Sequence, residues 1–162
     1  TCRHVRGADP VRIVVDSALR TPLDSAVVRL ARKSSAATVI VTTDRAPRTR
    51  QRALEAAGAA VLRVRSTANK QVSIPALLRR IGERGTLSLL LEGGPRVSGS
   101  FWRCKAIDRV ALFYGPLLLG DGAALPLISG PRVPRLQQAA QIQGVSWRHF
   151  ERDLMVSGRV IW

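Results

Sequence analysis

The sequence predicts an α/β fold, a mostly parallel central sheet flanked by helices and finished by a C-terminal antiparallel hairpin. Three observations predict it. Short, largely apolar runs alternate with amphipathic helical stretches as far as residue 114, the pattern of a parallel sheet covered by helices. Residues 87–91, four leucines and a serine, run into Glu92 and then Gly93-Gly94-Pro95, as at the carboxyl end of a buried strand that turns into a helix. Beyond residue 143 the period changes to strict alternation, with Val145, Trp147 and His149 on one side, and the chain returns after Glu151-Arg152-Asp153.

Taken in order, residues 11–17 read as a buried strand ending in turn-forming Asp16 and Ser17. Thr21-Pro22-Leu23-Asp24 opens a helix through Ala31, with Val27, Val28, Leu30 and Ala31 as its packing side. Residues 38–43 form a second strand, 48–57 a helix stopped by Gly58, and 60–64 a third strand. A helix over 74–81 carries Leu77, Leu78 and Ile81 on one face and ends near Gly82 and Gly85. The strand at 87–91 comes fourth, followed by a helix from Pro95 to about Lys105, a strand over 109–114, and the hairpin of 144–150 with 154–161.

Composition bounds what such a domain does. With 162 residues, 46% of them hydrophobic, the chain can bury one core, and no apolar run approaches the ~20 residues of a membrane span. No apolar leader opens the chain, so no secretion signal is read. Cys2 and Cys104 are too few and too far apart for a disulfide framework or a zinc site. Free thiols in a reducing compartment, and hence a cytoplasmic protein without a metal, are the expectation. The net charge of +15 comes almost wholly from arginines spread over nearly every segment, and aromatics make up only 4%. A nucleic-acid face would gather the basic residues and interleave aromatics among them, so no specific nucleic-acid partner is expected.

A glycine turn between a strand and a helix aims free N–H groups outward at the positive end of the helix dipole, a site for phosphate and here for a dinucleotide's pyrophosphate. Ser98 and Ser100 can add hydroxyl donors. Glu92 would repel that phosphate unless it faces a second ligand bearing hydroxyls or amines. Strands running parallel bring Ser17, Thr42, Thr43 and Glu92 to one rim. Gly120-Asp121-Gly122-Ala123-Ala124 lacks a following helix and reads as a flap.

Read together, the segments from Val14 to Asp24, from Leu89 to Trp102, and Gly115-Pro116-Leu117-Leu118-Leu119-Gly120 resemble the reductase domain of the bifunctional riboflavin-biosynthesis deaminase-reductase. The resemblance implies a dihydrofolate-reductase-like fold. It also implies NADPH-dependent reduction of the ribosyl group of 5-amino-6-(5-phosphoribosylamino)uracil to the ribityl product, and a homo-oligomer, dimer or larger. Ser17 falls on a position that touches the cofactor, and Gly94, Pro95, Arg96, Val97, Ser98, Gly99 and Ser100 fall on the loop that wraps its phosphates. Arg3 and Glu92 match substrate contacts, and Arg20 or Arg45 can pair with a 2′-phosphate. No residue is assigned to the chemical step itself.

The chain departs from that family in lacking its Asp-Gly-Arg, Ser-x-Trp-Ile-Thr and Asp-Asp-Pro segments, and no Pro-Cys-x-x-Cys run of a zinc deaminase occurs. The expectation is therefore one reductase domain over residues 1–162, truncated at its N-terminus and without a deaminase domain. The alternative is a noncatalytic nucleotide-binding or assembly fragment of such an enzyme.

Overall fold

The computed structural model describes residues 7–162 and divides into two compact units, one through Leu89 and one from Leu90 to Trp162. In the first unit, β1 (Arg12–Val15), α1 (Ala26–Lys33), β2 (Thr38–Thr43), α2 (Arg48–Ala56), β3 (Ala60–Val64) and α3 (Ile74–Gly82) follow one another. The three strands are parallel in the order β1-β2-β3. β2 lies in the middle because its Thr-Val-Ile-Val-Thr-Thr run offers apolar side chains to both faces, and Ile40 and Val41 are fully buried. Ile40 joins Leu19, Val28 of α1, Leu54 of α2 and Ala59 in the core, while the pleat sends Val41 to the opposite face. Leu54 anchors α2, being the single buried residue of that helix.

α1 starts at Ala26, later than the opening expected at Thr21. The cause is Asp16, whose carboxylate accepts the Thr21 N–H at 2.6 Å and its hydroxyl at 2.7 Å and so ties residue 21 back to the end of β1. The chain turns once more, with Ser25 N–H donating to the Pro22 carbonyl at 3.1 Å, before Val28 and Arg29 bond to Ser25 and the helix proceeds.

Part of the positive charge is structural. Arg50 donates to the carbonyls of Leu19 (3.0 Å) and Thr21 (2.8 Å). Arg63 donates to Gln51 Oε1 (2.7 Å) and to the carbonyls of Thr43 (3.0 Å), Asp44 (2.9 Å) and Ala46 (2.5 Å). The planar fork of a guanidinium can hold several carbonyls at once, which an ammonium cannot do with fixed geometry. Burial, with the neighbouring Arg48 charge, pushes the ionisation of Arg63 below its ordinary value.

In the second unit, α4 (Pro95–Arg103) precedes a three-stranded antiparallel sheet of β4 (Arg109–Tyr114), β5 (Gln141–Phe150) and β6 (Asp153–Ile161), ordered β4-β6-β5. The expected hairpin is present and starts three residues earlier than residue 144, because a bulge between Gln143 and Ser146, with Gly144 at φ 62, lets the pairing continue past the irregularity. Val156 and Val160 of β6 are buried, and the Trp102 and Trp162 rings meet edge to face at 4.5 Å.

The fourth parallel strand expected over 87–91 is not formed. Neither sheet includes that segment, and Leu87 and Leu90 are 99% and 81% exposed. Its apolar composition suits a buried strand, but a strand is stabilised by a ladder partner and covered faces, and none of the described strands pairs with it. The parallel sheet and the C-terminal hairpin of the expected fold class are therefore both present, as two separate three-stranded sheets.

Candidate cofactor site

Parallel pairing brings the carboxyl ends of β1 and β2 to one rim of the first unit. Asp16 shapes that rim. Burial by itself would push its carboxyl up; hydrogen bonds from the Thr21 hydroxyl and from the N–H groups of Arg20, Thr21 and Ala18 together hold it below its ordinary value. It is the turn-former the sequence suggested. Leu19, 1% exposed, sits in the left-handed region at φ 56, a conformation a bulky residue keeps only when its surroundings fix it. Asp16 on one side and Arg50 on the other do so.

Ser17 has internal partners. Its hydroxyl donates to Gln71 Oε1 at 3.3 Å and accepts from the Val72 N–H at 3.1 Å, and its carbonyl accepts from the Thr43 hydroxyl at 2.9 Å. Thr42 and Thr43, expected to line a crevice, are 0% and 2% exposed. They do not, because their side chains lie in the core, and the Thr42 hydroxyl is buried without a partner among the described residues. Arg20 and Arg45 are exposed, and neither guanidinium has a protein partner among the described residues.

The second unit carries the turn before α4. Gly94 is the N-cap, at φ −64 and ψ 175; no side chain caps the helix, Pro95 opens it, and no acidic residue occupies its first turn. The N–H groups at the start of a helix have no partner inside it, so Arg96 and Val97 present theirs at the positive end of the dipole. Gly94 has an ordinary φ that any residue adopts, and a Cβ built on it meets nothing within 4 Å. Backbone geometry therefore does not require glycine there, whereas close approach of a ligand would.

Its neighbours differ. A Cβ on Gly93 would stand 2.9 Å from Val97, and one on Gly99 would overlap the Ser129 carbonyl. The Ser98 hydroxyl donates to the Gly93 carbonyl at 2.9 Å and that of Ser100 to the Arg96 carbonyl at 3.0 Å, so both expected phosphate donors are occupied within their own turns. Glu92 is exposed. Arg3 lies outside the described residues. Two features escaped the sequence reading, the contact of the 128–130 loop with α4 at Gly99 and the role of Arg50 and Arg63 as braces. Neither has a local signal, because each depends on residues 12 or more positions away.

Among the described residues no group of three or more His, Cys, Asp or Glu side chains could hold a metal ion, and no helix is long and apolar enough to cross a membrane. Cys104 is a free, exposed thiol.

The RibD C-terminal domain family model matches residues 1–156. A 2,5-diamino-6-ribosylamino-4(3H)-pyrimidinone 5′-phosphate reductase of Aquifex aeolicus is 32% identical over 152 residues, which cover 94% of this chain and 64% of that protein. The riboflavin biosynthesis protein RibD of Actinobacillus pleuropneumoniae is 34% identical over 159 residues, 98% of this chain and 41% of its own length. The chain thus spans less than two thirds of either relative. Among solved structures, Acinetobacter baumannii RibD superposes with a TM-score of 0.76 at 17% identity over 98% of this chain and 42% of that one. The Saccharomyces cerevisiae riboflavin biosynthesis reductase Rib7 gives 0.71 at 19% over 94% and 70%. These likenesses establish the dihydrofolate-reductase-like fold of RibD reductase domains. With a family model that spans nearly the whole sequence and an architecture that agrees with it, the chain belongs to the RibD C-terminal domain family.

Proposed function

We propose that this chain is the reductase domain, or the cofactor-binding part of one, that reduces the ribosyl group of 5-amino-6-(5-phosphoribosylamino)uracil to the ribityl product with NADPH in riboflavin biosynthesis. The observation that carries the reading is Gly94: an uncapped helix start beside a glycine whose backbone needs no glycine and whose Cβ position is empty. That cradle fits a dinucleotide's pyrophosphate, with the Arg96 and Val97 N–H groups as donors and the Arg96 guanidinium as counter-charge. The name of the Aquifex relative supports the substrate class, a ribosylamino-pyrimidine 5′-phosphate.

When bound, NADPH supplies the hydride that reduces the opened sugar. The chain's own groups bind and orient. Glu92, next to the cradle in sequence, accepts hydrogen bonds from sugar hydroxyls or ring amines, and Arg3 holds the substrate's 5-phosphate. Holding the open chain beside the nicotinamide removes much of the entropic part of the barrier. Gly94, Pro95, Arg96 and Val97 form the inner wall of the cofactor site in this reading, with Ser98, Gly99 and Ser100 following on α4; Ser17, in the first unit, is proposed as a cofactor contact on its own account. Assembly as a dimer or larger and a cytoplasmic location belong to the same proposal.

Fluorescence titration of the purified chain with NADPH tests it. Saturable binding is expected, weakened at least about tenfold in Gly94→Val and in Arg96→Ala, since each loses a charge-assisted contact or the room for it. Binding indifferent to both substitutions would remove the cradle from the reading. A second reading is a noncatalytic nucleotide-binding or assembly fragment of such an enzyme. Single-turnover oxidation of NADPH in the presence of substrate separates the two.

A further inference from the structure

The first unit holds a second concave site. A cavity of about 360 Å³ opens between the end of β3 and α3, lined by Arg65, Ser73, Pro75, Ala76, Arg79 and Arg80 among others. It falls in the range of small-ligand pockets, roughly 300–1,000 Å³. No carboxylate is among its lining residues. Arg50 and Arg63 spend their donors on protein carbonyls, as described above, but the guanidiniums of Arg65 and Arg79 have no hydrogen bond or ion pair among the described residues. The Arg80 pair with Glu83, 3.1 Å long, has both side chains more than half exposed and holds Arg80 only weakly. Ser73, the N-cap of α3, makes no capping hydrogen bond with its hydroxyl, and no acidic residue occupies the first turn of that helix.

We propose that this cavity is a phosphoryl-binding site. Four guanidiniums line this concavity. Arg63 is held by protein acceptors, and the other three repel one another, so that an anion with several acceptor oxygens relieves the repulsion while taking bidentate hydrogen bonds from their planar forks. The Ser73 hydroxyl adds a donor, and Pro75 and Ala76 supply an apolar wall for the organic part of the ligand. The phosphoryl group comes either from the cofactor's adenosine 2′-phosphate, which rests on the reading above, or from a separate phosphorylated small molecule, which does not.

Calorimetric titration of the full chain with inorganic pyrophosphate tests the site. Saturable binding is expected, weakened roughly tenfold or more in Arg65→Ala/Arg79→Ala, which removes unpaired exposed side chains and leaves the fold intact. The charge-matched Arg132→Ala/Arg152→Ala should keep the affinity of the unaltered chain. No saturable binding, or equal loss in the two arginine pairs, would overturn the proposal. Titration with NADP+ and NAD+ then assigns the source. Selective loss of NADP+ affinity in Arg65→Ala/Arg79→Ala gives the phosphoryl group to the cofactor, and unchanged affinity for both gives it to a separate ligand.

Discussion

The rim after β1 and the turn before α4 are both strand-to-helix connections in the sequence, yet they handle their polar groups in opposite ways. At the rim, Asp16 accepts from Thr21 and Ala18, Ser17 bridges Gln71 and Val72, and Arg50 closes over the Leu19 and Thr21 carbonyls. At the turn, Gly94 leaves the helix uncapped and the space beside it empty. Between residues 16 and 21 the first connection satisfies these groups within the chain; further on, Ser25, the N-cap of α1, makes no capping hydrogen bond and its hydroxyl is buried without a partner among the described residues. At the turn before α4 the first N–H groups face open space, where water or a ligand completes them. The same contrast runs inside α4 itself, where Gly99 is filled from within the unit and Gly94 is not.

The sharpest break is Gly99→Val. The added side chain would run into the Ser129 carbonyl, and that backbone cannot step aside cheaply, since Ser129 N–H donates to the Pro95 carbonyl at 3.0 Å and Arg103 donates to the Ser129 carbonyl at 3.1 Å. Destabilisation of about 3 kcal/mol is expected, at the upper end of overpacking because the obstacle is main chain. Urea unfolding measures it; an unchanged midpoint would mean that the 128–130 loop does not rest on α4.

Asp16→Ala comes next, at roughly 1–3 kcal/mol, because it strands the Thr21 and Ala18 N–H groups, with the partial exposure of the site keeping the value below that of a buried network. Its pH dependence follows from the direction of the shift. The folded carboxyl ionises below its ordinary value, so its stabilisation is complete above that value and disappears as the pH falls through the lower, folded one. The gap in melting temperature between the two proteins should be full near neutral pH and close below about pH 4. A gap that persists in acid would assign the loss to packing instead of charge.

What the sequence made legible follows from the range of the interactions involved. β2, β3 and β4 fall where expected because their composition and the turns beside them are local signals, and α4 begins at Pro95 for the same reason. The failure at 87–91 is of another kind. Five consecutive residues can carry the composition of a central strand, but pairing is decided by what lies alongside, and composition is silent about that. The site divides in the same way. The Gly93-Gly94-Pro95 turn could be found from local sequence, whereas only coordinates separate Gly94 from Gly93 and Gly99, whose missing Cβ atoms make room for Val97 and Ser129 of the same chain. The internal bonds of Ser17, Ser98 and Ser100 were equally hidden, since a hydroxyl in a turn looks the same whether it caps a carbonyl or awaits a phosphate.

The smallest effect on stability, and the only one of favourable sign, is expected from Gly94→Ser. Its φ of −64 and ψ of 175 accept serine without strain, the position is an N-cap, and the hydroxyl can take an N–H of the first turn that is now unpaired. Restricting the unfolded chain adds to this, so a gain of roughly 0.5–1 kcal/mol is expected. The same hydroxyl would occupy the space and claim a donor that the pyrophosphate needs, so NADPH affinity should fall as the melting temperature rises. A position that only supports the fold cannot show that opposition, because a substitution there brings no gain in stability to set against a loss of binding. A Gly94→Ser protein that gains stability and binds NADPH as before would put the cofactor's phosphates elsewhere, and with them the distinction between the two connections.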